Sequence, residues 1–202
     1  MIKRLIDSMA ANPALFIFLR RILENDFQGE KQVLKQELGL PNGKVLDIGC
    51  GTGELSVLFP PDRYVGIDIS PAYIEFARHH YAAEFHVMDA TALNFADGTF
   101  GSAVIVGVLH HLNDELSRAL LREAGRVLAS GGRLVLLEDV VLAKGTHPIG
   151  RLIHLLDKGD HIRPAAEYKK LLPDSLVIQK EYLMRSGVCD YIVLVIEKKS
   201  AC

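Results

Sequence analysis

The feature that most constrains this 202-residue chain is an apolar run that enters a turn rich in glycine. The stretch reads Val45-Leu46-Asp47-Ile48-Gly49-Cys50-Gly51-Thr52-Gly53. Glycines at alternate positions remove Cβ where the backbone turns sharply and approaches a ligand. Residues after Glu54 are compatible with a helix, whose first N–H groups would form a cradle for an anion. The stretch therefore predicts a strand, a ligand-binding turn and a helix.

The spacing of these glycines separates two kinds of ligand. Gly49, Gly51 and Gly53 follow G-x-G-x-G, whereas the dinucleotide turn G-x-G-x-x-G would place its third glycine at position 54. That position is Glu54, and a carboxylate there would repel a pyrophosphate. The pattern favours a smaller zwitterion, such as an amino-acid moiety, and a nucleotide-binding turn is the alternative.

The heptapeptide Asp47-Ile48-Gly49-Cys50-Gly51-Thr52-Gly53 resembles the first signature of class I S-adenosylmethionine-dependent methyltransferases. The resemblance runs from about residue 44 to residue 137, with weaker agreement to residue 198, and is greatest to the small single-domain group called type 11. It implies S-adenosyl-L-methionine as cofactor, S-adenosyl-L-homocysteine as product, and methyl transfer to an O, N or C atom. It also implies a Rossmann-like α/β sheet of seven strands, the last of them antiparallel.

Strand and helix patterns alternate along the chain and end in a hairpin signal at Arg185-Ser186-Gly187. This alternation predicts a doubly wound, mostly parallel sheet with helices on both faces. The predicted strands are residues 45–48, 64–68, 84–88, 102–106, 133–138, 176–183 and 188–197. We expect one domain over residues 1–202, with an N-terminal helical cap at 1–40, a core at 44–198 and an acceptor-pocket segment at 146–172.

The spacing of apolar residues predicts which helix faces are buried. In the cap, Gly29 is expected to break the helical pattern between two helices. The first cap helix carries its apolar residues at helical spacing: Leu15, Phe18, Leu19, Ile22 and Leu23. A later helix, capped by Asn113-Asp114, is expected to bury the stripe Leu116, Ala119, Leu120, Ala124, Val127 and Leu128.

Composition narrows the class of partner. The net charge is −2 and no basic tract occurs, so we expect no nucleic acid partner. The three cysteines fit neither a zinc site nor a disulfide framework, which favours a reduced cytoplasmic setting. Residues 14–19 are too short to span a bilayer but could lie on one, with Arg20 and Arg21 at the headgroups. A helix that covers the sheet or a substrate cavity is the favoured interpretation of that segment.

Polar residues at the carboxyl ends of parallel strands are candidates for cofactor binding. Asp68 ends the second predicted strand, where a carboxylate can accept from both ribose hydroxyls. By the resemblance, Asp47 shapes the glycine turn and approaches the amino-acid part of the cofactor, while Gly49 and Gly51 allow the backbone to come close. A turn-capping role for Asp47 and a surface position for Asp68 are the alternatives.

Further cofactor contacts follow from the resemblance. Ile69 would pack on the adenine, Asp89 would accept from the adenine amino group, and the backbone N–H of Ala90 would donate to the ring. A solvated loop position for Asp89 is the alternative. Residues 100–112 resemble the family pattern F-D-x-V-x-x-x-x-x-L-H-H-L, with departures at Gly101 and Val106. Val106 stands where a polar residue is common, and its carbonyl can still meet the cofactor's amino group.

Candidates for acid–base chemistry follow the fourth strand. His110 and His111 titrate near neutrality, so either could accept a proton from an acceptor that needs a general base. The alternative is that the paired histidines order the loop or contact the cofactor. An activated nucleophile or metal is not required, because the cofactor carries the reactive methyl group.

The segment 146–172 is expected to line the acceptor pocket, with His154, His161 and Arg163 as candidate contacts. Its histidines and aspartates could suggest a metal site, but Lys158 and Arg163 among them would oppose a cation, so no metal is predicted. We expect a small, partly hydrophobic acceptor. Two further hypotheses stay open, namely a dehydrogenase or other nucleotide enzyme, and a protein that binds S-adenosylmethionine without catalysis. The oligomeric state stays open too.

Overall fold

A computed structural model describes residues 13–39, 43–140 and 161–200 of the chain. Seven strands lie in these ranges: β1 (Val45–Ile48), β2 (Tyr64–Asp68), β3 (Glu84–Val87), β4 (Phe100–Val106), β5 (Leu128–Asp139), β6 (Leu176–Ser186) and β7 (Cys189–Lys198). The same ranges hold five α-helices: α1 (Pro13–Leu23), α2 (Gln28–Leu38), α3 (Pro71–His80), α4 (Asp114–Val127) and α5 (Ala165–Lys169).

The seven strands form one sheet in the order β3-β2-β1-β4-β5-β7-β6. Strands β1 to β5 pair in parallel, and β7 runs antiparallel to both β5 and β6. The order of the strands therefore reverses between β1 and β4. This reversal is the switch point at which doubly wound sheets bind their ligands. The predicted α/β sheet of seven strands with an antiparallel last strand is confirmed.

Both faces of the sheet are covered, which explains why its central strands read as continuous apolar runs. One face packs against α4 and Tyr168 of α5, through Leu46, Ile48, Ile105, Leu134 and Leu136. The other face packs against α2 and α3, through Val45, Val104, Val135, Val193 and Val195.

The predicted start of α4 at Asn113 is confirmed, and α3 begins with a similar N-cap. Ser70 Oγ accepts a hydrogen bond from the backbone N–H of Tyr73, and Pro71 occupies the first turn of α3. Asn113 Oδ1 accepts from the backbone N–H of Leu116 at 2.9 Å. The expected burial of Leu116 is wrong, since it is 43% exposed. It lies in the first turn of α4, one turn before Leu120, where the buried stripe starts.

No α-helix follows the glycine turn, so that expectation is wrong. The connection to β2 holds only two short 3₁₀ segments, Ser56–Leu58 and Pro61–Arg63. Pro61 lacks a backbone N–H and disfavours helical geometry at the residue before it, so the chain does not continue as a helix. The N–H groups of the turn therefore belong to a loop.

The cap also differs from its prediction. Helices α1 and α2 are separated at Asn25–Phe27, whose three φ angles are 51°, 54° and 57°, and Gly29 lies inside α2. Phe18 is 59% exposed and Ile22 is exposed as well, while Ile17 is buried. Two of the apolar residues at helical spacing are thus exposed, and Leu23 is half-buried. No helix in the described ranges is long and apolar enough to cross a bilayer.

The β6–β7 hairpin holds this cap against the sheet. The backbone N–H of Val188 donates to the carbonyl of Leu23 at 3.0 Å, and Ser186 Oγ donates to Glu30 Oε2 at 2.6 Å. Gly187, at φ 56°, has no room for a Cβ because one would strike the Leu23 carbonyl. A backbone hydrogen bond between the β6–β7 hairpin and Leu23 therefore fixes where α1 ends.

Candidate active site

The glycine turn adopts backbone angles that favour glycine. Gly49 and Gly51 have φ angles of 77° and 54°, in the left-handed region. A Cβ on Gly49 would strike the side chain of Val108, whereas a Cβ on Gly51 would meet nothing within 4 Å. Gly49 is therefore needed for packing against the loop after β4, and Gly51 for its conformation.

Asp68 fastens this turn to the end of β2. Its Oδ2 accepts from the backbone N–H of Gly51 at 3.0 Å, and its Oδ1 accepts from the N–H of Ser70 at 2.8 Å. Each carboxylate oxygen has a second lone pair, so the side chain retains acceptor capacity. Asp68 is thus both part of the turn and a polar group at the switch point of the sheet.

A pocket opens beneath the turn. It brings together four predicted site residues, Asp47, Gly49, Gly51 and Val106. Its other lining residues are Phe27, Cys50, Thr52, Glu54 and Leu55. Sequence reasoning did not place Phe27 here, because its position depends on the left-handed turn between α1 and α2.

The pocket is acidic. Asp47 is fully buried and accepts from the Tyr64 hydroxyl at 2.6 Å. Burial raises the pKa of Asp47 to about 7, and the nearby charges of Asp68 and Glu54 add to the rise. Burial likewise raises the pKa of Asp68. Glu54 Oε2 accepts from Thr52 Oγ1 at 2.7 Å. Such a lining disfavours a phosphate and favours a cationic group.

The remaining predicted cofactor residues lie at the ends of β2 and β3. Ile69 is 72% exposed, directly after β2. Asp89 is exposed, and its Oδ1 accepts from both the backbone N–H and the hydroxyl of Thr91 at 2.8 and 2.7 Å. These two bonds lower the pKa of Asp89. Ala90 is half-buried against the core.

A buried carboxylate that sequence reasoning missed organises the loop after β4. Glu138, near the end of β5, accepts from the backbone N–H groups of Val108, Leu109 and His110 at 2.9, 2.7 and 3.3 Å. His110 Nδ1 lies 3.0 Å from Glu138 Oε2, and because a carboxylate only accepts, the proton belongs on Nδ1. Glu138 ends a buried apolar run, the same signal that singled out Asp47 and Asp68.

The two histidines occupy different environments. His110 is buried and its Nδ1 lies 3.8 Å from Asp139 Oδ2. His111 is exposed, and its ring lies against that of His110 with the centroids 4.0 Å apart. Both stand on the 3₁₀ segment Leu109–His111 that follows β4.

The predicted acceptor contacts are placed as follows. His161 is exposed and donates its backbone N–H to the carbonyl of His110 at 3.1 Å. All five N–H groups of the buried Arg163 are engaged, by Asp114 and the carbonyls of Leu109, Leu112 and His161. Arg163 thus clamps the loop after β4, which leaves it little capacity for an acceptor. His154 lies outside the described residues, as does most of segment 146–172.

The described residues hold no group of three or more His, Cys, Asp or Glu side chains suited to a metal ion. The described ranges thus contain two features suited to chemistry. One is the acidic pocket at the switch point of the sheet, and the other is His110, which Glu138 holds on the loop after β4.

A family model described as a methyltransferase domain matches residues 45–132, from β1 into β5. The matched range contains the glycine turn, Asp68, Asp89 and both histidines. Residues 45–132 thus match a methyltransferase domain, and this likeness agrees with the resemblance to class I S-adenosylmethionine-dependent methyltransferases that the sequence shows. S-adenosylmethionine is the cofactor of that family. The closer likeness to the type 11 group stays a prediction.

Two curated relatives illustrate the spread of the likeness. A demethylmenaquinone methyltransferase from Thermotoga maritima is 34% identical over 67% of this chain and 60% of its own length. A probable tRNA methyltransferase 9B from Homo sapiens is 32% identical over 53% of this chain and 24% of its own. The chain therefore spans less than two thirds of either relative.

Solved structures show the same fold. Geranyl diphosphate C-methyltransferase from Streptomyces coelicolor superposes with a TM-score of 0.67 over 84% of this chain and 78% of the other, at 17% identity. At that identity the comparison supports the architecture of the sheet and its helices.

Proposed function

We propose that this domain transfers a methyl group from S-adenosylmethionine to an O, N or C atom of a small, partly hydrophobic acceptor. The observation that carries the proposal is the acidic pocket beneath the glycine turn, at the switch point of the sheet. S-adenosylmethionine carries an ammonium and a sulfonium group, and buried carboxylates compensate these positive charges. The same carboxylates would repel the negative charges of a pyrophosphate. A dinucleotide fits this lining poorly.

In the proposed complex, the amino-acid part of the cofactor lies beneath the turn, near Asp47, Gly49 and Gly51. The carbonyl of Val106 accepts from the ammonium group. Asp68 accepts from the ribose hydroxyls through the lone pairs that its backbone bonds leave over.

The adenine lies outside the pocket. The exposed side chain of Ile69 packs on one face of the ring, and burial of such a side chain is favourable by roughly 1.5–3 kcal/mol. Asp89 accepts from the adenine amino group and the backbone N–H of Ala90 donates to the ring. Thr91 holds the Asp89 carboxylate in a fixed orientation for this contact.

Methyl transfer is an in-line displacement, and alignment is the main contribution of the protein. For an acceptor that must lose a proton, we propose His110 as the base, with Glu138 fixing the proton on Nδ1 so that Nε2 is the accepting nitrogen. The exposed His111 is the weaker candidate. His154, His161 and Arg163 stay candidate acceptor contacts.

The acceptor class rests on the relatives and on charge. The relative from Thermotoga maritima is named for a quinone-type acceptor, which supports a small hydrophobic molecule. A second relative is named for tRNA, so an RNA acceptor belongs in any test, although the net charge of −2 argues against it. Cytoplasmic location and contact with a membrane surface stay predictions.

A second candidate is a domain that binds S-adenosylmethionine without catalysis. Val106 supports it, since this apolar residue lines the pocket where the family often has a polar side chain.

The test is release of S-adenosylhomocysteine by the purified chain, with hydroquinones, phenols, amines and tRNA as acceptors. We expect turnover with one of the small molecules, and loss of turnover when Gly51→Leu places a side chain in the open space beside the turn. Cofactor binding without turnover on any acceptor class would favour the non-catalytic candidate.

A further inference from the structure

The two edges of the sheet differ in length and in protection. Strand β3 has four residues, and its exposed Glu84 and His86 form a close ion pair at 2.6 Å. Strand β6, at the other edge, has eleven residues. An exposed edge strand presents unpaired N–H and C=O groups that another chain can pair with. Within the described ranges, the backbone hydrogen bonds of residues 177–185 run to β7 alone.

The second half of β6 pairs regularly with β7. Its register with β7 shifts between Ile178 and Lys180, and is then regular from Lys180 to Ser186. No proline occurs in the strand. Leu183 lies in the middle of this regular part and is 54% exposed, between the exposed side chains of Glu181 and Arg185.

The residues around Leu183 are complementary to themselves. Glu181 and Arg185 lie two positions before and after it, on the same face, and both are exposed. If two copies of β6 pair antiparallel with Leu183 opposite the partner's Leu183, then Glu181 stands opposite the partner's Arg185. By symmetry, Arg185 stands opposite the partner's Glu181.

The other face of β6 fits the same pairing. Tyr182 stands opposite the partner's Met184, and Met184 opposite the partner's Tyr182. Both side chains are half-buried against the cap, where Tyr182 donates its hydroxyl to Glu37 Oε1 at 2.9 Å. Aromatic and apolar side chains that stand opposite each other stabilise a strand pair. No like charges face each other on either face.

We propose that β6 is the interface between two copies of this chain, which joins their sheets across a two-fold axis. Within one chain Glu181 binds the partly exposed Lys169 at 2.9 Å and Arg185 binds Asp190 at 2.6 Å. The pairing of two copies places each of these side chains opposite an additional charge of the other sign. The interface contains none of the residues assigned to the cofactor, so it is independent of the proposed function.

Sedimentation velocity of the purified chain tests this interface, at protomer concentrations from about 1 to about 100 µM. We expect a dimer whose population rises with concentration. Glu181→Lys places a lysine opposite the partner's Arg185 twice per dimer, and Leu183→Lys places two lysines side by side. Each variant is expected to weaken dimerisation roughly tenfold or more.

Val57→Lys is the matched control, because Val57 is 63% exposed and lies between β1 and β2, away from β6. This variant is expected to dimerise like the parent chain. Circular dichroism of all variants checks that the fold is kept. A parent chain that stays monomeric over the whole range overturns the proposal, and so does a dimer that both β6 variants leave unchanged.

Discussion

At the scale of single residues, the carboxylates around the glycine turn combine structural and binding roles. Asp68 holds the Gly51 and Ser70 N–H groups, and Asp47 holds the Tyr64 hydroxyl. Asp68 thus fastens the glycine turn and Asp47 holds a buried hydroxyl, and each also lies where the cofactor is proposed to bind. Substitutions at these positions therefore need controls that separate folding from binding.

We expect Asp68→Ala to weaken S-adenosylhomocysteine binding by at least about tenfold, because hydrogen bonds to a charged acceptor contribute roughly 1.5–3 kcal/mol each. Titration calorimetry measures the affinity, and circular dichroism checks the fold. Asp62→Ala is the control, since Asp62 is exposed just before β2. An affinity equal to that of the parent chain would remove Asp68 from the ribose site.

The raised pKa of Asp47 predicts a pH dependence of stability. The folded chain keeps, up to about pH 7, a proton that the unfolded chain releases near pH 3.8. The contribution of Asp47 to the free energy of unfolding is therefore full below about pH 4 and is lost as pH rises through 7.

Asp47→Asn removes this titration. The Tm of the parent chain should therefore fall, relative to the Tm of the variant, as the pH rises from about 5 to about 8. Parallel Tm curves of the two proteins over that range would show that Asp47 keeps an ordinary pKa in the folded chain.

His110 and His111 offer a matched pair for the base. We expect His110→Ala to lower turnover by about 10²–10⁴-fold, with little change in cofactor affinity and partial recovery at higher pH, where the acceptor ionises unaided. His111→Ala should keep most of its activity. If the His110 variant instead loses cofactor affinity in step with turnover, its role is to shape the cofactor site.

At the scale of elements, long-range contacts position the cap and the loop after β4. The loop depends on Glu138 from β5 and on Arg163 near α5. The cap depends on the β6–β7 hairpin, and it places Phe27 in the pocket beneath the glycine turn. Hairpin, cap and pocket are thus one connected unit.

Two glycines test this connection. Gly187 and Gly131 have φ angles of 56° and 69°, but a Cβ on Gly187 would strike the Leu23 carbonyl, whereas one on Gly131 would meet nothing within 4 Å. Gly131→Ala should cost about 1–2 kcal/mol of backbone strain, and Gly187→Ala clearly more. Urea denaturation measures both. Equal losses would mean that the hairpin does not hold the cap.

At the scale of the whole molecule, the succession of strands and helices along the chain could be predicted because its signals are local, whereas the seven-stranded sheet with an antiparallel last strand was implied by the family resemblance. Apolar runs marked the central strands, and Ser70, Pro71 and Asn113 marked the starts of α3 and α4. The helix expected after Glu54 was wrong although Pro60 and Pro61 gave a warning. The site residues of the glycine turn were found for the same local reason.

What the sequence did not reveal depends on contacts between distant segments. Phe27 enters the pocket through three consecutive left-handed residues, for which no glycine gives a signal. Glu138 follows the strand-end rule and could have been found by applying it to the fifth strand. The contacts of Arg163 with the loop after β4 could not be predicted, because the carbonyls of Leu109 and Leu112 lie about 50 residues away in the chain.

The central claim is that the pocket beneath the glycine turn binds S-adenosylmethionine. Titration calorimetry of the purified chain with S-adenosylhomocysteine and, separately, with NAD tests it most directly. We predict binding of S-adenosylhomocysteine at one site per chain, lost in Gly51→Leu, whose added side chain meets open space beside the turn, and no heat with NAD. Binding of NAD with no response to S-adenosylhomocysteine would contradict the claim.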